Sequence, residues 1–237
     1  MSERFRFPLC VLFCAASAMA GPITYDVTVD TSTSSGVMGS LDFNFNPGPL
    51  MTQAASLQIL NFSSDGTLAG NCPCATGDVT GQLPATLTFD NGTAFNDYFD
   101  GFTFGSTLSF QVSLYGPALS SPDGISTSGS TFAFSLFSDA AGTTPALTTD
   151  TTDGFAFTVD VNLDGSTTVN NFSTQTTVTP EGGSGTAPEP GSLILMGAGL
   201  ACLGVLRLPF ANGRKLYATP SRRRSGSLDR PGARPRP

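Results

Sequence analysis

From Ile23 onward, apolar and polar side chains alternate with a period of two, and turn residues interrupt the alternation at short intervals. "ITYDVTVD" sets Ile23, Tyr25, Val27 and Val29 on one side, and "GVMGSLDFNFN" does the same with Val37, Leu41, Phe43 and Phe45. "ATLTFD", "TLSFQVSLY", "TFAFSLFS" and "FAFTVDVN" repeat the habit, so that Leu108, Phe110, Val112 and Leu114 share a side. Successive side chains of an extended chain point to opposite faces, and each segment therefore reads as a strand with one buried face. The stretches between them, such as "NPGP", "SSDGT", "DNGT", "SSPDG" and "LDGS", put Gly, Pro, Asn or Asp at the corners, where turns require them. No window of twelve residues carries a helical stripe. The prediction is an all-β domain, a jelly-roll-like β-sandwich of about eight to ten strands between residues 22 and 178, filled mainly by phenylalanine.

Both ends break this pattern. "MSERFRFPLCVLFCAASAMA" has a basic start, an apolar run from Leu9 to Ala16 and a small-residue site at Ala18 and Ala20. That is the layout of a secretory signal peptide over residues 1–20, cut after Ala20. The remainder divides into an ectodomain (21–178), a polar linker (179–187), a segment containing one apolar run (188–207) and a basic, disordered tail (208–237). The run from Leu193 to Leu206 makes a helix of about 21 Å at 1.5 Å per residue. With its flanking Gly191, Ser192 and Leu208 to Phe210 it approaches the length of one transmembrane helix. The arginines that follow place its far end in the cytoplasm.

Charge sharpens the picture. Between Gly21 and Leu206 there is no lysine or arginine against 16 carboxylates, and the whole chain lacks histidine and tryptophan. Nucleic acid is gripped by cations on its phosphates, so the ectodomain is not a nucleic-acid partner. Without His, Lys or Arg, the serine-based triads and arginine-clamped phosphate chemistry are excluded as well. A carboxylate pair is the one catalytic device left, and no spacing nominates one. The expectation is a protein that is not an enzyme and needs no cofactor.

Three features invite chemistry. Cys72 and Cys74 in "GNCPCATG" are the only ectodomain cysteines, and in an oxidising compartment they read as a disulfide staple in an exposed loop. Asp160, Asn162 and Asp164, followed by Gly165, match the first half of a calcium loop. Position 12 of that loop is Asn171, without a carboxylate, and the competing reading is a hairpin across Asp164-Gly165. Calcium stays open as a weak ligand. Phe95, Tyr98, Phe99, Phe102 and Phe104 read as core, with a sugar-stacking platform as the alternative. The Asn-X-Ser/Thr triplets at Asn61, Asn91 and Asn171 read as chance occurrences in a Ser/Thr-rich chain.

Pro188-Glu189-Pro190, the run "LILMGAGLACLGVL" and Arg207 together resemble the PEP-CTERM sorting signal of Gram-negative bacteria that make extracellular polysaccharide. The resemblance covers roughly residues 187–207. It implies Pro188, Glu189 and Pro190 as the recognition triplet, with Arg207 opening the basic stop. The implied partner is an exosortase, a membrane protease-transpeptidase that cleaves near the triplet. The inner membrane is then a transient anchor and the cell surface or medium the destination, with extracellular polysaccharide a further partner. Here the chain continues to Pro237, beyond the usual end just after the arginines. The expected function is that of an exported, non-enzymatic surface or matrix protein. A carbohydrate-binding module, with or without calcium, is the alternative.

Overall fold

The computed structural model describes residues 21–70 and 74–181. Thirteen strands form in the described residues. The long ones are β1 (Ile23–Asp30), β2 (Met38–Pro47), β3 (Ser56–Ser64), β8 (Asp97–Thr103), β9 (Thr107–Tyr115), β10 (Ser130–Phe137) and β11 (Phe155–Val161). Shorter ones are β4 (Thr67–Leu68), β5 (Ala75–Thr76), β6 (Val79–Thr80), β7 (Leu87–Asp90), β12 (Thr167–Asn171) and β13 (Thr176–Pro180). The excess over the predicted number comes from the two-residue strands, too brief to show a period in sequence. Among the described residues helix is limited to a 3-10 turn at Ser32–Ser34 and α1 at Pro117–Ser120, opened by a proline suited to a first helical turn.

Two antiparallel sheets pack face to face. One runs β13-β1-β9-β3-β7-β6, and the other runs β12-β11-β10-β2-β8-β4, with β5 also on β8. The period-two pattern becomes the core directly: Val27 and Val29, Leu108 to Leu114 in steps of two, and Leu57 and Ile59 face inward from the first sheet. Leu41, Phe43, Phe45, Phe132, Phe134, Phe157 and Val159 face them from the second. Phe110 projects between Phe43 and Phe134, at 5.3 and 5.0 Å between ring centroids, both edge-on. Edge-on contact sets the positive rim of one ring against the negative face of another, which adds about 0.5–1.5 kcal/mol per pair to simple burial. Val37 departs from the alternation. It precedes β2, and Gly39 takes the position in phase with Leu41, where a Cβ would lie 2.0 Å from Phe137 O.

With no cation among the described residues, several aspartates are satisfied instead by backbone N–H groups at turns. Asp139 accepts from Ala141, Thr143 and Thr144. Asp150 accepts from Thr152, Asp153 and Phe155, and Asp123 from Ile125 and Ser126. These bonds hold the carboxyls of Asp123, Asp139 and Asp150 below the ordinary aspartate value, in the last two against a desolvation that pushes the other way. They also rigidify the long loop 138–154.

Candidate functional site

The sheet register sorts the loops into two ends. Ile23 lies opposite Leu114, Ser56 opposite both Tyr115 and Asp90, and Ser130 opposite both Pro47 and Val161. Loops 48–55, 91–96, 116–129 and 162–166 therefore gather at one end. Asn91 ties them together: its Oδ1 accepts from Ala55 N, and its Nδ2 donates to Gln53 O and Ser130 Oγ. The C-terminal strand returns to this same end. β13 runs antiparallel to β1, pairing Tyr25 with Pro180, and Glu181 N donates to Thr24 O at 2.8 Å.

The hairpin reading of "DVNLDGSTTVNN" holds. β11 and β12 pair through Val159 and Val169, closed by a three-residue loop, Leu163 to Gly165, with Gly165 at φ +82°. The glycine is needed here because its φ is left-handed, and Asn162 N donating to Ser166 O makes the loop one residue longer than the two-residue turn that Asp164-Gly165 suggested. The calcium candidates lie within the hairpin but bind different partners. Asp160 accepts from Thr131 Oγ1 and Asn170 Nδ2, Asp164 from Ser166, and Asn162 donates to Ser166 and Thr168. Among the described residues no group of three or more Asp, Glu, Cys or His is assembled as a metal cage.

The aromatic stretch is core rather than platform. Tyr98, Phe102 and Phe104 are buried, Phe99 is half-buried, and Phe95 alone of the five is largely exposed. Tyr98 Oη accepts from Leu83 N at 3.1 Å. The Asn-X-Ser/Thr side chains are likewise structural, with Asn61 donating to Gln111 and Asn171 to Thr176 O.

Cys74 is disulfide-bonded and only 8% exposed, packed on the core, where the sequence had suggested an exposed loop. Its carbonyl accepts from Phe99 N, and Ala69 N donates to Gly101 O. Gly70 N donates to Asp100 Oδ1 at 3.2 Å. Asp100 is fully buried, and desolvation pushes its carboxyl up while the N–H groups of Gly70 and Gly101 pull it back.

One pairing was not legible in the sequence. Asp42 on β2 and Asp97 on β8 are diagonal neighbours on the outward face of the second sheet, since Asp42 lies opposite Phe99 and Asn44 opposite Asp97. Desolvation first, then the hydrogen bond and negative charge of Asp97, push Asp42 up to about 9, so it holds a proton at neutral pH. Asn44 Nδ2 donates to Asp42 Oδ1 at 2.8 Å. The residues are 55 apart in sequence, and only the β2–β8 register brings them together. The pair sits on a sheet face rather than in a cleft. A groove of about 300 Å³ lies elsewhere, between Phe62, Ser64, Leu68, Pro84 and Phe102.

The described residues form a two-layer all-β domain whose C-terminal strand ends at the loop-bearing end. Residues 186–207 match the PEP-CTERM protein-sorting motif, and the chain is thereby a carrier of that motif, consistent with an exosortase substrate. No curated protein and no solved structure matches the chain. The motif implies export with transient membrane anchoring. Pro188, Glu189, Pro190 and Arg207, like Ala18, Ala20, Cys72 and the predicted transmembrane helix, lie outside the described residues.

Proposed function

We propose that the chain is a non-enzymatic structural protein of the cell surface or extracellular matrix of a Gram-negative, polysaccharide-producing bacterium, delivered there by exosortase-type processing at Pro188-Glu189-Pro190. One observation carries the reading: the sorting motif at 186–207 follows a sandwich whose last backbone pairing is at Glu181. Six residues lie between Glu181 and Pro188, so the triplet begins at most about 25 Å along the chain from Glu181. The triplet thus follows the last described strand within a short length of chain, as a processing site must. Absence of histidine, lysine and arginine from 21–206 supports a structural rather than catalytic role.

The test is replacement of Pro188-Glu189-Pro190 by alanines in the source bacterium. The apolar run is untouched, so insertion should persist. Wild-type protein is expected to be shortened and released from the inner membrane, and the variant to remain full-length and membrane-bound. Identical size and partition for the two proteins would leave an ordinary anchor and end the sorting reading.

A further inference from the structure

Exposed apolar residues are unevenly distributed. Of the seven large ones among the described residues, Leu50, Met51, Phe95, Ile125 and Leu163 lie on loops at the end where β13 finishes. Val37 and Met38 lie at the other end, and loop 138–154, also there, adds none. Single exposed apolar side chains are ordinary, but a one-ended concentration marks a contact surface. Leu50 (66% exposed), Met51 (53%), Ile125 (68%) and Leu163 (52%) come from three loops that are bonded into one piece. Thr127 N and Ser128 N donate to Met51 O, Gln53 Nε2 donates to Ser121 O, and Asp123 N donates to Gln53 Oε1. Gly165 packs against Leu119 O and Pro122, both within 2.9 Å of where its Cβ would be.

The chain also leaves the sandwich beside this surface. Tyr25, the register partner of Pro180, has its Oη 2.6 Å from Thr167 Oγ1, at the foot of the loop that carries Leu163. Twelve residues lead from Glu181 to Leu193, where the apolar run starts, and they reach at most about 43 Å however they are arranged. We infer that this end is a lipid-contacting surface: in the anchored precursor, Leu50, Met51, Ile125 and Leu163 rest at the headgroup–acyl boundary of the bilayer. The inference rests on the sorting reading, because the anchor supplies the tether. Tethering makes the contact intramolecular, at an effective concentration on the order of millimolar. Four aliphatic side chains then suffice, although they would not hold the released domain on a membrane. Asp123 and Asp164 lie on the same loops with no cation near them in sequence, so the surface suits zwitterionic lipid and anionic lipid weakens it.

The chain has no tryptophan, which makes a clean probe available. Full-length protein carrying Leu163→Trp, Ile125→Trp or, as a control at the opposite end, Met38→Trp is reconstituted into phosphatidylcholine vesicles with plain or brominated acyl chains. All three are expected to float with the vesicles. Bromination should quench and blue-shifted emission should mark the first two, while the Met38→Trp protein stays unquenched. Mixing in phosphatidylglycerol should reduce the quenching. Flotation with no quenching at positions 163 and 125, or with equal quenching at 38, overturns the lipid contact alone. Dimers cross-linked through these loops in place of quenching assign the surface to a second copy and overturn it too. Failure to float overturns the anchor, and the lipid contact falls with it.

Discussion

At the scale of single residues, the buried proton on Asp42 has the clearest consequence. Its carboxyl rises from an ordinary 3.8 to about 9 in the fold, chiefly because burial disfavours the charged form. Between these values the unfolded chain has released a proton that the folded chain retains, so stability falls as pH rises from about 4 through about 9. The aspartates at turns act in the opposite sense. Asp30, Asp65, Asp123, Asp139, Asp150 and Asp164 are lowered by the hydrogen bonds they accept, so their contribution is lost only as pH drops below 3.8. Urea midpoints should therefore be higher at pH 5 than at pH 8. Asp42→Asn keeps the shape and a donor toward Asp97 without the ionisation, and should flatten that slope and raise the midpoint at pH 8. A wild-type midpoint that climbs from pH 5 to pH 8 would contradict the protonated pair. None of this could be read from sequence. Asp42 occupies an outward position in its strand's alternation, where a solvated carboxylate is the default, and its neighbour is fixed only by the register of a strand far along the chain.

At the scale of elements, the alternating segments became β1, β2, β9, β10 and β11 with ends within a residue or two of those predicted. The reason is that one-sided burial is a local property, written in each segment. What was missed is equally physical. In β3, Leu57 and Ile59 alternate, but the chain then breaks register between Leu60 and Ser63, where Asn61 takes a positive φ of 55°. β4, β5 and β6 are defined by their partners rather than by their own side chains. The 162–166 loop supplies a matched test. Gly165→Ala forces a left-handed residue and also pushes its Cβ against Leu119 O and Pro122, which should cost about 2–3 kcal/mol. Gly36 has φ +81° with nothing within 4 Å of its Cβ, so Gly36→Ala should cost only the backbone term of about 1 kcal/mol. Equal midpoint shifts in denaturant would show that the 162–166 loop is not packed on α1.

For the whole molecule, the carboxylates are uncompensated over the described residues, and no lysine or arginine lies between Gly21 and Leu206. Added salt screens their mutual repulsion, shortening the Debye length from about 30 Å at 0.01 M to about 3 Å at 1 M. Thermal midpoints of the processed domain should rise with sodium chloride over this range, and a fall would reveal favourable electrostatics that the fold does not display. The sorting motif was legible because it is a linear signal that needs no fold. The apolar end was not, because Leu50, Ile125 and Leu163 are far apart until the loops meet. The placement of β13 has a consequence in time as well as in space. Among the described strands β1 is the first made and is flanked by β9 and β13, so the first sheet is completed by the last of them. Until β13 has been made, β1 keeps an unpaired edge, so the first sheet stays open until the end of its own synthesis.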